Sequence, residues 1–241
     1  ALSLLFLLLG LIWLFEKRYE RLIPLAFLYV WFYNAFPLLV LVAGIYTVVI
    51  GLLEKRLEWR PLAFVITGIA LGLVINPYFP ENLVFQFHHI GGKFLDPSAI
   101  RVGNEWYPYK TTQLIENSGP TFIALIGGIL ALGYRGQRMD VQTGTSLLLA
   151  LLFGAMVFES RRFIEYFPPF VLLFAAFAIA PLIAGEQDTI RSRLRWAIPL
   201  YFIGAILPTG YTTLPDAQES MESSKPNQRY ALASTWLAAN T

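Results

Sequence analysis

The residues able to do chemistry in this chain fall in three short stretches. In ESRRFIEYFPP two guanidiniums, Arg161 and Arg162, stand side by side before an apolar run. Adjacent guanidiniums repel unless an anion joins them, and their rigid forks match phosphate bidentately. If the stretch is helical, Arg161 and Glu165 are four apart and Arg162 and Glu165 three apart, so all three share a face. Two readings fit: a phosphate seat, or snorkelling arginines paired with Glu165 or Glu159. In INPYFPENLVFQFHHIGGKF, His88, His89 and Lys93 follow a charge-free aromatic segment. They can hydrogen-bond an anionic headgroup, or be surface groups without a role. Adjacent histidines on a helix diverge by about 100°, which makes them a poor pair of metal ligands. In GNEWYPY, Glu105 stands among Trp106, Tyr107 and Tyr109. A carboxylate among rings can serve as acid or base, and rings stack on sugar faces. An interfacial aromatic belt explains the same residues equally well. Glu81 and Asn34 are lesser candidates.

The elements that must position these groups are membrane helices. Of 241 residues, 56% are apolar, 15% aromatic and only 14% charged, where an ordinary globular chain carries about 25% charged residues. The absence of cysteine excludes a disulfide framework, thiol catalysis and thiolate metal sites. A net charge of +2 is too small and too scattered for a nucleic-acid footprint. Walker, dinucleotide, HExxH and GxSxG patterns are absent. Ionisable residues are essentially missing from the apolar runs, which disfavours an ion-coupled transporter. The expected class is all-α: a polytopic transmembrane bundle of seven or eight spans.

Candidate spans are 1–15, 23–53, 61–77, 120–133, 145–158, 163–184 and 196–208. The second is interrupted by Asn34-Ala35-Phe36-Pro37. Basic residues arbitrate how it is read. With the polar loop 78–119 outside, Lys55, Arg56, Arg60, Arg135, Arg138, Arg191, Arg193 and Arg195 fall inside. Splitting 23–53 into two crossings brings Lys17, Arg18 and Arg21 inside as well, so 11 of 18 basic residues share one side. Two crossings are therefore expected, with Asn34 at the floor of an outer recess. Residues 23–33 then span only about 16 Å, and 120–133 and 145–158 about 21 Å each. Three short spans suggest a recess cut into the outer leaflet, unless flanking Tyr, Thr and Gly residues lengthen them. Segment 82–90 suits a helix lying in the interface. The glycines at 91–92 read as a loop hinge and those at 127–128 as a close-packing spot. Residues 1–208 form the expected transmembrane domain. Residues 209–241 form a polar linker and the start of an extracytoplasmic region. The ends read as those of an internal fragment.

INPYFPENLVFQFHHI, GNEWYPY, RRFIEYFPPF and the terminal ASTWLAANT together resemble the polytopic GT-C glycosyltransferases, which include bacterial relatives of protein mannosyltransferases and of the oligosaccharyltransferase catalytic subunit. Arg162, Phe163 and Tyr166 match a stretch that opens a late span from the outer side in the oligosaccharyltransferase branch. Trp236, Leu237, Asn240 and Thr241 match the entry into its extracytoplasmic domain. The resemblance implies a multi-pass bacterial plasma-membrane enzyme that moves a sugar from a polyprenyl-phosphate donor to a glycan, lipid or protein acceptor. It implies that Arg161 and Arg162, with His88, His89 and Lys93, meet the donor phosphate. Glu105, Trp106, Tyr109 and Asn34 then position sugar or acceptor. No cofactor is named, and a divalent metal is compatible with the scheme. The family's catalytic acid lies in a first outer loop that this sequence lacks, which leaves Glu105 as the candidate here. The alternative is a non-catalytic flippase, polymerase-like or assembly protein using the same arginines.

Overall fold

A computed structural model describes residues 2–95, 106–135, 138–184, 188–223 and 234–239, without the side chains of 89–95, 135, 188–195 and part of 209–223. Every regular element among the described residues is helical. The helices are α1 (Leu2–Phe15), α2 (Leu22–Phe32), α3 (Pro37–Glu54), α4 (Arg60–Val74), α5 (Glu81–Leu95), α6 (Thr111–Arg135), α7 (Val141–Glu159), α8 (Phe167–Ala184) and α9 (Asp188–Ser223). The chain divides into two compact units, 1–182 and 183–241. In the second, α9 is one helix and takes in most of the polar stretch expected as a linker. In the first lies a core of Leu, Val, Phe and Tyr side chains drawn from α1, α2, α3, α7 and α8.

Among the described residues, four helices are long and apolar enough to cross a membrane: α3, α6, α7 and α8. The spans expected to be short at 120–133 and 145–158 are not. Polar residues from Thr111 to Ser118 wind into α6, and Val141–Gly144 wind into α7 behind an Asp140 cap. That cap is complete, since Asp140 accepts from the Thr143 amide at 2.8 Å and from its hydroxyl at 2.9 Å. The short helices are α2, of 11 residues and expected to be short, together with α1 and α4, of 14 and 15.

The interruption at Asn34 is a true break. Tyr33 is extended (φ −160°, ψ 138°) and ends α2, and Pro37 opens α3, where its missing N–H would have had no helical partner. A contact the sequence reading did not single out, Gly68-xxx-Gly72, explains why α2 holds its course. A Cβ at Gly68 would lie 2.4 Å from the Ile23 carbonyl and 2.8 Å from the Ala26 Cβ. One at Gly72 would lie 3.0 Å from both the Phe27 carbonyl and the Val30 Cβ. Positions rise together along both helices, so α2 and α4 run parallel, backbone against backbone, as small residues permit in membranes. The Trp31 indole N–H closes the contact on the Gly72 carbonyl at 3.0 Å. Of the other glycines, Gly128 packs on Phe174 while Gly127 faces open space. Gly91 and Gly92 are helical within α5, not a hinge.

With α1 and α3 running one way and α2 and α4 the other, the bundle has two polar ends. Residues 16–21, 55–59 and 138–140 share one, because Lys17, Tyr46, Glu54, Asp140 and Gln142 line a single cleft. The helix break, 106–110 and 160–166 share the other. α1 stops in a paired C-cap: the Arg18 amide donates to the Trp13 carbonyl (2.8 Å) and the Lys17 amide to Leu14 (3.1 Å). Lys17, at φ 58°, occupies the left-handed position that usually takes glycine.

Two stability changes follow. Gly68→Ala is expected to cost about 2–3 kcal/mol through overpacking, and Gly127→Ala next to nothing; thermal melts in detergent separate them. Lys17→Gly is expected to raise stability by about 1 kcal/mol by relieving the left-handed backbone.

Candidate functional site

At the end that carries the helix break, the segment between α7 and α8 turns on Ser160. Its extended backbone (φ −151°, ψ 131°) ends α7, and its hydroxyl accepts the Arg162 amide at 3.3 Å. The next five residues, Arg161–Glu165, form a 3₁₀ turn rather than the first turn of an α-helix. With three residues per turn, Arg162 and Glu165 eclipse while Arg161 is rotated away. The expected common face for all three is therefore replaced by two guanidiniums that diverge.

Each has its own seat. The Arg162 Nη2 donates to the Tyr33 hydroxyl, linking the 3₁₀ turn to the helix break. Arg161 folds over 107–109: its amide donates to the Tyr107 carbonyl at 3.2 Å, its Nε to the Pro108 carbonyl at 3.2 Å, and its guanidinium lies 5.2 Å from the Tyr109 ring. These partners of Arg161 are neutral, so they hold the cation without cancelling its charge. Beneath, Tyr166 donates to Ser3 at 2.8 Å, and Ser3 bonds Tyr29.

Beside the break, α5 has its polarity reversed. Two of its polar side chains turn to the protein: Asn82 donates to the Leu73 carbonyl (2.9 Å) and Gln86 to the Asn34 side chain (3.2 Å). Leu83, Val84, Phe85 and Phe87 are exposed. An outward apolar face is what a helix in contact with lipid presents. The Gln86 carboxamide oxygen is enclosed with no partner among the described residues, so this pair has room for one more donor.

Comparison with protein-family models, curated proteins and solved structures finds no match to this chain.

Of the residues expected at the site, the structure brings Arg161, Arg162, Tyr109 and Asn34 to one end of the bundle. Asn34 is exposed on the break rather than set into a floor, and Trp106 is half-buried next to Tyr107. His88 is exposed on α5, its ring edge-on to Phe87 at 6.2 Å. Glu81 is exposed in the first turn of the same helix. Glu105 and the side chains of His89 and Lys93 lie outside the described residues, as do Asn240 and Thr241. Trp236 and Leu237 are exposed on the helical segment 234–239. No group of three or more metal-ligating side chains occurs among the described residues.

Sequence reasoning missed Tyr33 and Gln86. Tyr33 had a readable signal, as the last residue before the Asn-Ala-Phe-Pro break. Gln86 had one too, as the one polar side chain in LVFQF.

A double-mutant cycle on Tyr33→Phe and Arg162→Ala measures the link between the break and the 3₁₀ turn. The expected coupling is about 1 kcal/mol, toward the low end for a charge-assisted hydrogen bond because both side chains are part-exposed. Tyr29→Phe, which bonds Ser3 instead, is expected to show no coupling to Arg162.

Proposed function

We propose that this chain is the membrane part of a GT-C-like glycosyltransferase, in which the Arg162 end faces outward from a bacterial plasma membrane and takes a polyprenyl-phosphate sugar as donor. The observation that carries the reading is the seating of the arginines. The Arg161 guanidinium is held by the Pro108 carbonyl and the Tyr109 ring, and the Arg162 guanidinium donates to the Tyr33 phenol. Cations positioned this way are pre-organised for an anion arriving from the lipid, and they act most strongly on charge that develops as the phosphate leaves. The lipid-facing surface of α5 beside them suits a donor whose tail stays in the membrane.

In this mechanism the donor phosphate is met by the two guanidiniums, each from its own seat. The acceptor hydroxyl loses its proton to a carboxylate and attacks the anomeric carbon. The carbon–oxygen bond to phosphate breaks, and the leaving phosphate takes the negative charge that the arginines neutralise. Tyr109 and Trp106 offer ring faces to the sugar, Asn34 and Gln86 offer amide groups, and Glu105 is this chain's candidate for the carboxylate. His88, exposed on α5, is this chain's further candidate for a hydrogen bond to the phosphate; His89 and Lys93 follow it in sequence.

Transfer assayed in membranes holding the full-length protein tests this. Arg161→Ala with Arg162→Ala is expected to lower transfer at least about 10²-fold with insertion unchanged, and Arg162→Lys to recover little of it because the fork is lost. Wild-type transfer by the double variant would remove the phosphate role.

A further inference from the structure

Three contacts set the depth of the charged connection between α1 and α2. The Phe15 ring, last in α1, meets the Tyr46 ring at 6.2 Å. The Tyr19 hydroxyl lies 3.1 Å from that of Tyr46. The Thr47 hydroxyl donates to the Glu58 carbonyl at 3.2 Å, which brings the start of α4 to the same level. From Tyr46, however, α3 continues to Glu54, a further eight residues or about 12 Å. α7 accompanies it, since a Cβ at Gly144 would lie 3.0 Å from Val49 and 3.4 Å from Leu53.

The side chains at these two depths disagree about where the membrane ends. At the shallow level stand Glu16, Lys17, Arg18, Glu20 and Arg21, all exposed and grouped around buried Tyr19, with Arg18 paired to Glu16 at 3.2 Å. On the deeper stretch of α3 the outward residues are apolar: Val48 is 54% and Leu52 69% exposed. A flat boundary at Tyr46 leaves Val48 and Leu52 in water. A flat boundary at Glu54 submerges five charges in hydrocarbon, where charged side chains are costly. Helix lengths divide the same way. α1, α2 and α4 have 14, 11 and 15 residues, and α3 and α7 have 18 and 19.

We infer that the membrane boundary at the Lys17 end is stepped: over α1, α2 and α4, water and lipid headgroups reach about 12 Å further in than along α3 and α7. The cleft lined by Phe15, Lys17, Tyr46, Glu54, Asp140 and Gln142 is the riser of that step. Its floor is the α1–α2 connection and its wall is the overhang of α3 and α7. The partner is the bilayer itself, drawn thin around a charged hairpin. The expected recess in the leaflet at the arginine end thus has its counterpart at the opposite end. This inference needs only that the bundle spans a membrane, and stands apart from the proposed transfer reaction.

The chain has no cysteine, so single cysteines report without background. Glu20→Cys, Val48→Cys and Leu52→Cys, all at exposed positions, are placed in proteoliposomes and treated with a membrane-impermeant maleimide from the Lys17 end. Rates are normalised to those in detergent, where all three react freely. A flat boundary requires Val48→Cys and Leu52→Cys, which lie nearer that surface, to react at least as fast as Glu20→Cys. The step inverts the order: Glu20→Cys is expected to react at least about tenfold faster than both. Equal rates, or a slower Glu20→Cys, would overturn it. Spin labels at the same positions give an independent reading, with Glu20→Cys expected to favour a water-soluble nickel relaxer and the other two to favour oxygen. The opposite preference would overturn the step equally.

Discussion

The arginine end depends on the close approach of α2 to α4. Gly68 and Gly72 let the two backbones meet where no side chain would fit, and this parallel contact fixes where α2 must stop. At that point the Trp31 indole closes on Gly72 and Tyr33 turns extended. Only because α2 stops there can Tyr33 meet Arg162 and Asn34 meet Gln86. A continuous helix through residues 23–53 would have buried Asn34 in its ladder and carried Tyr33 past the 3₁₀ turn. In lipid, packing rather than hydrophobic burial drives helix association, so two glycines can govern the geometry of a site formed several residues away.

The same contact shapes the opposite end. A short α2 needs a short α1 before it, and the turn joining them cannot reach the level at which α3 ends. That turn is densely charged, as an aqueous turn should be, while α3 beside it stays apolar. The bundle therefore pairs a thin sector, α1, α2 and α4, with the longer helices α3, α6, α7 and α8. The arginines sit where the two sectors meet, with Arg162 reaching the thin one through Tyr33 and Arg161 lying on 107–109 just before α6.

Much of the helical framework was legible in the sequence because hydropathy and punctuation agree. The break before Pro37, the ends of α1 and α4 and the apolar runs of α3 and α8 were all marked by charges, glycines or prolines. Span lengths at 120–133 and 145–158 were left open by the sequence, because Thr, Gln and Ser can wind into a helix as readily as they can end one, and only the Asp140 cap and tertiary contacts decide for the longer helices. The face shared by Arg161, Arg162 and Glu165 was misread for a related reason: nothing in RRFIE distinguishes three residues per turn from 3.6. Tyr33 and Gln86 escaped because their importance comes from partners 129 and 52 residues away, a separation that no local pattern reports.

The account turns on which face of the membrane the arginine pair occupies. Cysteines placed singly at Glu159, exposed two residues before Arg161, and at Leu57, exposed in the opposite connection, report it directly when intact cells meet an impermeant maleimide. Labelling at position 159 before permeabilisation, and at position 57 only after it, is the predicted result. Labelling of position 57 in intact cells with position 159 protected would put the guanidiniums on the cytoplasmic side and contradict the account.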